Sequence, residues 1–152
     1  MSILSSTKTG KRGLCTLFPK NKYQLIGMIE REIIINGYKC SLNHIDTSKI
    51  TDMSYLFSRG RLRLFDGNIS MWDVSNVINM TSMFEESAYS GINGGIENWD
   101  TRNLSNAVYM FLNSNCKCDL YNWNINKLVY ITEMFYKSNI YRVPKDFYKK
   151  YL

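Results

Sequence analysis

Histidine is nearly absent from this chain, and His44 is its single example. Cys116-x-Cys118 therefore has neither a second cysteine pair nor histidines to complete a tetrahedral zinc site, and no metal is expected. The same scarcity argues against catalysis. There is no nucleophile–base–orienter set, no glycine-rich phosphate loop and no metal-ligand motif, so no enzyme activity, cofactor or small-molecule substrate is expected. No apolar run approaches the ~20 residues of a membrane span, and no membrane partner is expected. The opening "MSILSSTKTGKRGLCTLFPK" is basic but lacks a continuous apolar block with a small-residue cleavage site. It is not read as a signal peptide, and a cytoplasmic location follows as an expectation. In that compartment Cys15, Cys40, Cys116 and Cys118 should be free thiols.

What the chain does have is basicity and apolar content. A net charge of +6 with a pI near 9.1 biases it toward anionic partners. A protein or nucleoprotein with an acidic surface comes first, and direct nucleic-acid binding is the alternative. With 152 residues, 45% hydrophobic and 21% charged, it suits one folded domain with a real core rather than a disordered segment. Asn, Ile, Lys and Tyr are abundant, which fits an AT-rich coding bias of phage or bacterial origin.

The chain repeats itself. "NISMWDVSNVINMTSMF" (68–84) returns as "GIENWDTRNLSNAVYMF" (95–111), and four copies can be aligned. Trp72, Trp99 and Trp123 share one position with Ile45; Leu42, Ile69, Ile96 and Leu120 stand three residues before it; Thr47, Val74, Thr101 and Ile125 stand two after. This L-x-x-L-x-L-like spacing, with Trp72 and Val74 inward, predicts a short strand. Each copy then changes period. Ile50, Met53, Leu56 and Phe57, like Val77, Met80, Met83 and Phe84, are spaced for one face of a two-turn amphipathic helix. Leu104, Ala107, Met110 and Phe111 repeat the spacing, as do Leu128, Ile131, Met134 and Phe135.

A further core position is read at Tyr38, Phe65, Ile92, Cys116 and Ile140. Phe57 to Phe65 and Phe84 to Ile92 span eight residues, whereas Phe111 to Cys116 and Phe135 to Ile140 span five. The basic unit is then 24 residues, with three-residue loop insertions in the first two copies. The expected fold is an α/β solenoid: a leucine-rich-repeat-like stack of about four 24–27-residue strand–short-helix coils under an N-terminal capping helix. The organisation follows as a basic N-terminal arm over 1–20, a cap helix over 21–37, the repeat over 38–143 and a C-terminal cap over 144–152. Asn21 with Gln24 resembles a capping box, Leu25, Ile29 and Ile33 make the stripe, and Asn36-Gly37 suits the stop.

"FDGNISMWDVSNVINMTSMF" (65–84) and "CSLNHIDTSKITDMSYLF" (40–57) resemble the BspA-type leucine-rich repeat of bacterial surface proteins, roughly F-N-G-D-I-S-x-W-D-V-S-N-V-T-D-M-S-x-M-F. The resemblance covers about residues 20–143. It implies a leucine-rich-repeat-like stack with a binding role, in a short unexported or phage-borne member.

Three basic clusters stand out, and the middle one, Arg59, Arg61 and Arg63, alternates with Gly60, Leu62 and Leu64 in the first inserted loop. Guanidinium groups on a projection suit carboxylate or phosphate recognition. Glu85 and Glu86 are placed in the neighbouring inserted loop. His44 and Met71, on the open strand face, form a secondary contact area. The ladder Asp46, Asp73, Asp100 and Asn124 is read as local turn capping. The functional expectation is a non-catalytic protein-binding module, in the setting of a phage or mobile-element inhibitor of a host defence protein or nucleoprotein. Nucleic-acid binding through the basic arm and loops, and a surface or adhesion module, are the alternatives.

Overall fold

The computed structural model describes residues 8–9 and 15–152, so most of the 1–20 arm lies outside the described residues. Lys8–Thr9 (β1) pairs antiparallel with Cys15–Thr16 (β2). The chain then joins the first coil: the Leu17 N–H donates to His44 O at 3.1 Å, and Leu17 O accepts from Asp46 N–H at 2.8 Å. Asn21 accepts from the Gln24 N–H at 3.0 Å and opens α1, Lys22–Asn36, satisfying one orphan donor of the first turn. Gly37, at φ 81, ends it with its N–H on Ile33 O at 2.8 Å. Leu25, Met28, Ile29 and Ile33 are its buried stripe.

The strand–short-helix solenoid expected from the periodicity is overturned. Among the described residues the α-helices are α1 and α2 (Phe147–Tyr151), the strands are β1 and β2, and the repeat region adds one 3-10 helix, η1 (Gly60–Leu64). The residues predicted to face inward do so: Val77, Met80, Met83 and Phe84 are all fully buried. The backbone that carries them is a chain of turns. Met83 N–H donates to Met80 O at 3.1 Å, Glu85 N–H to Ser82 O at 3.3 Å, and Ser87 N–H to Phe84 O at 3.2 Å. The alternate donors of Met80, Ser82, Phe84 and Glu86 reach Asn106 O, Val108 O, Met110 O and Leu112 O in the next coil at 2.8–2.9 Å. An eight-residue helix would keep those bonds to itself and is too short to be stable alone. Three-residue turns that start at every second residue give the same inward spacing while spending the alternate donors on the neighbouring coil. The strand segments fail similarly. Coil-to-coil pairing is parallel but limited to isolated bridges, such as Ser41 with Asn68 and Asp52 with Asn79.

This backbone needs residues in the left-handed region. Ser82 and Glu86 (φ 53 and 51), Tyr109 and Asn113 (55 and 51), and Glu133 and Lys137 (48 and 52) recur four positions apart. Each non-glycine there costs on the order of 1–2 kcal/mol, which the inter-coil bonds offset. Ser82 carries a second penalty, because its buried hydroxyl has no hydrogen-bond partner. Ser82→Gly is therefore expected to stabilise the chain by about 0.5–1 kcal/mol, the relief exceeding the extra entropy of glycine. A thermal melt lowered by the substitution would contradict this account of the turn.

Aromatic rows hold the coils in phase. Phe57, Phe84, Phe111 and Phe135 stack with centroids 5.6, 5.6 and 5.9 Å apart. Trp72, Trp99 and Trp123 stack beside them at 6.5 and 6.3 Å. Each indole N–H also donates to a carbonyl of the coil before: Trp72 to Leu42, Trp99 to Ile69 and Trp123 to Ile96, at 2.9–3.1 Å. α2 closes the far end, with Phe147 edge-on to Phe135 at 5.0 Å and Lys150 Nζ bonded to Asn126 O and Leu128 O at 2.9 Å.

One core position is corrected. Phe65 and Cys116 are buried and Ile140 partly so, but Ile92 is 76% exposed and Tyr38 lies at the surface. Tyr89 fills the place assigned to Ile92, its ring parallel to Phe65 at 6.3 Å and its hydroxyl donating to Gly94 O at 2.9 Å. Phe84 to Tyr89 is then five residues, as in the later coils. The second copy's extra residues lie after Tyr89, in "GINGG" (91–95), not before it.

Candidate protein-binding edge

The first insertion is the 3-10 helix η1. In later coils Glu86, Asn113 and Lys137 take the left-handed turn after the Phe row; here Arg59 is extended (φ −130) and Gly60 turns instead at φ 54. The detour is anchored by Leu62, which is 5% exposed, and by Arg63 O, which accepts from Ala88 N–H at 2.9 Å. Odd-numbered neighbours consequently point outward, and Arg59, Arg61 and Arg63 are all exposed, as is Leu64.

The three guanidinium groups differ in surroundings. Arg59 lies over the Tyr55 ring at 4.1 Å, a cation–π contact worth about 0.5–1 kcal/mol at an exposed site. Arg63 Nη1 is 3.6 Å from Glu86 Oε2, with both side chains about half exposed, which makes a weak surface pair. Arg61 has no carboxylate within ion-pair distance among the described residues. Glu85 and Glu86 do not occupy an inserted loop; they sit on the regular turn after Phe84, Glu85 half-buried and Glu86 exposed. Beside them a cleft of about 320 Å³ is lined by Arg63, Leu64, Glu86 and Asn113.

The secondary area divides. His44 is held to α1, its Nε2 3.3 Å from Glu32 Oε1, and both side chains are largely buried. Met71 is 75% exposed, while its N–H is fixed to Asn43 Oδ1 at 3.0 Å. No side-chain bond joins this area to the η1 arginines among the described residues.

The acidic ladder is spent on the backbone. Asp46, Asp73, Asp100 and Asn124 accept from the N–H two residues on, at 2.9, 2.9, 3.2 and 3.0 Å. Asp52 repeats the turn with Ser54 N–H at 2.8 Å and also receives Lys22 Nζ of α1 at 2.9 Å. Burial pushes the Asp52 carboxyl up, but the Lys22 and Ser54 bonds outweigh it and hold the group below the usual range. Asp100 is likewise held low by the bonded Arg102 side chain. Cys116 and Cys118 are buried with their Sγ atoms in contact, and burial with the neighbouring thiol pushes Cys116 up. Among the described residues no cluster of His, Cys, Asp or Glu is placed to hold a metal.

Sequence reasoning missed Tyr89 and the anchoring role of Leu62, and it counted Lys22 only as part of a basic cluster with Lys8, Lys11, Arg12 and Lys20. Tyr89 was signalled by its place 24 residues after Phe65, and Leu62 by lying between outward arginines. Lys22 offered no such signal, since its partners are 30 and 32 residues away.

Residues 28–146 match the family described as "Mycoplasma protein of unknown function, DUF285". No curated protein and no solved structure matches the chain significantly.

Proposed function

This chain belongs to the DUF285 family, and from that premise we propose that it acts by binding a partner protein with an acidic surface through the η1 edge. The family is related to the BspA-like surface repeat proteins, whose repeats serve binding, and the motifs quoted above support placing this chain among them. The observation that carries the reading is η1 itself. Later coils turn from Phe to Ser in three residues, so the stack does not need this detour. Yet it is built, pinned by buried Leu62, and it presents three arginines and half-exposed Leu64 together. Exposed arginines, one of them backed by an aromatic ring, beside an apolar side chain are the composition of binding hot spots.

Capture from the source cell, followed by mass spectrometry, supplies the partner. Replacing Arg59, Arg61 and Arg63 together with Ala is then expected to weaken binding at least tenfold, ~1.4 kcal/mol, with the melting temperature nearly unchanged. If binding survives while Met71→Glu abolishes it, the contact is elsewhere. A steep fall of affinity with salt and a nucleic-acid ligand would favour the other macromolecular class. Fractionation separates the two settings, an inhibitor acting inside a cell and a module displayed on its surface.

A further inference from the structure

The donors that join each coil to the next stop short in the fourth coil. Ala107, Tyr109, Phe111 and Asn113 donate to the carbonyls of Tyr130, Thr132, Met134 and Tyr136 at 2.8–2.9 Å. Ile131, Glu133, Phe135 and Lys137 stand at the same positions one unit on, and among the described residues their N–H groups reach no acceptor. The backbone there has the same form. Glu133 and Lys137 are left-handed at φ 48 and 52, as Tyr109 and Asn113 are at 55 and 51. With a left-handed residue at every fourth position, alternate N–H groups face one side as a donor row, while those of Met134, Tyr136 and Ser138 between them close turns.

Burial points the same way. Phe57, Phe84 and Phe111 are 0% exposed, as are Met53, Met80 and Ala107, whereas Phe135 and Ile131 are only partly covered. Tyr130 and Tyr136 beside them are 60% and 54% exposed. α2 seals the neighbouring carbonyls of Asn126 and Leu128 through Lys150 and sets Phe147 against Phe135, but it supplies no acceptor to the row.

We propose that residues 131–137 form a docking edge for a segment of a partner polypeptide that takes up the same succession of turns as the coils and adds its alternate carbonyl oxygens to the four free donors. The coils above show which groups fill these positions: carbonyls at alternate residues of a run lying parallel to the row. Main-chain addition to an open edge is a general mode of peptide recognition, with side-chain pockets supplying selectivity. Here partly covered Ile131 and Phe135 take an apolar side chain, and exposed Glu133 and Lys137 flank it with one charge of each sign. A second copy of this chain is a poor occupant. Its first coil lies under α1, with Lys22 on Asp52 and Ser54, and its last coil offers another row of donors. The edge is independent of the η1 arginines.

Amide hydrogen exchange followed by NMR on the full chain tests this, with a synthetic peptide of residues 128–138 as probe, because that run fills the same donors one coil up. In the free chain the amides of Ile131, Glu133, Phe135 and Lys137 should exchange about 100-fold faster than those of Ala107, Tyr109, Phe111 and Asn113. Saturating peptide should slow the four by about tenfold or more, and a scrambled peptide should not. The triple arginine variant should respond equally, which separates this edge from the η1 reading. Protection already present in the dilute free chain, or no slowing by the peptide, would overturn the proposal. So would protection that rises with protein concentration alone, because the occupant would then be a second copy.

Discussion

Trp99→Ala is expected to remove about 3–5 kcal/mol of unfolding free energy, comparable to the whole stability of a small domain. Trp99 is 4% exposed and lies between Trp72 and Trp123, with Phe84 against it at 6.4 Å. Truncation opens a cavity that an interior coil cannot close, since coils are clamped on both sides by main-chain bonds. It also removes one of the two bonds to the Ile69 carbonyl, the indole N–H at 3.1 Å, leaving the Trp72 N–H at 3.2 Å. Because each coil is supported only by its neighbours, the damage should spread to both halves of the stack. Trp99→Phe, which keeps a ring and loses the N–H, should fall well short of that loss. Urea melts of the two variants provide the comparison, and a loss below about 1 kcal/mol for Ala would show that the row does not bind the coils together.

Gly67→Ala should be nearly as damaging, at about 3 kcal/mol or more, although it adds one methyl group. A Cβ at this position would stand 1.9 Å from Cys40 O and 2.6 Å from the Phe65 ring. Neither obstacle can give. Cys40 O is main chain and already accepts the Asn68 N–H at 3.1 Å, one of the bonds that join the first coil to the second. Phe65 is buried between Phe57 at 4.9 Å and Tyr89. Gly27→Ala is the control: nothing lies within 4 Å of its Cβ position on α1. There the helix should gain about 0.5–1 kcal/mol. A Gly67→Ala chain that melts with the wild type would mean that the first two coils are not held at this approach.

The two substitutions mark what the amino-acid sequence made legible. Recurrence of Trp72, Trp99 and Trp123 in phase declared a stack, because a side chain of that size repeats only where a neighbour of the same kind receives it. Local chemistry declared α1, whose start at Asn21 and stop at Gly37 need no distant partner. What misled was the run Val77, Met80, Met83, Phe84. Three-residue spacing is common to a short helix and to a succession of turns, and the two differ in where the N–H groups go, which no side chain reports. The left-handed residues gave no warning either, for Ser82, Tyr109 and Glu133 are not the types that favour that region. Ile92 misled because counting placed the insertion before the aromatic position, when packing against Phe65 selects Tyr89. For the binding edge, the outward arginines were legible and the anchor beneath them was not. The open donor row lay beyond reach, since it is a property of main chain that reads like every other coil.

The tryptophan row has a consequence for light as well as for packing. With planes tilted by only 7° and 14° and centroids 6.5 and 6.3 Å apart, the three indoles are near enough for their transition dipoles to couple. Each indole's near-ultraviolet circular dichroism then depends on its neighbours in the row as well as on its own backbone. Replacing the middle ring removes one indole and changes the surroundings of the other two, so the spectrum should change by more than one ring's share. A coil slipping out of phase would alter the neighbours of each ring before much unfolding had occurred, so the spacing of the coils can be followed spectroscopically without a label.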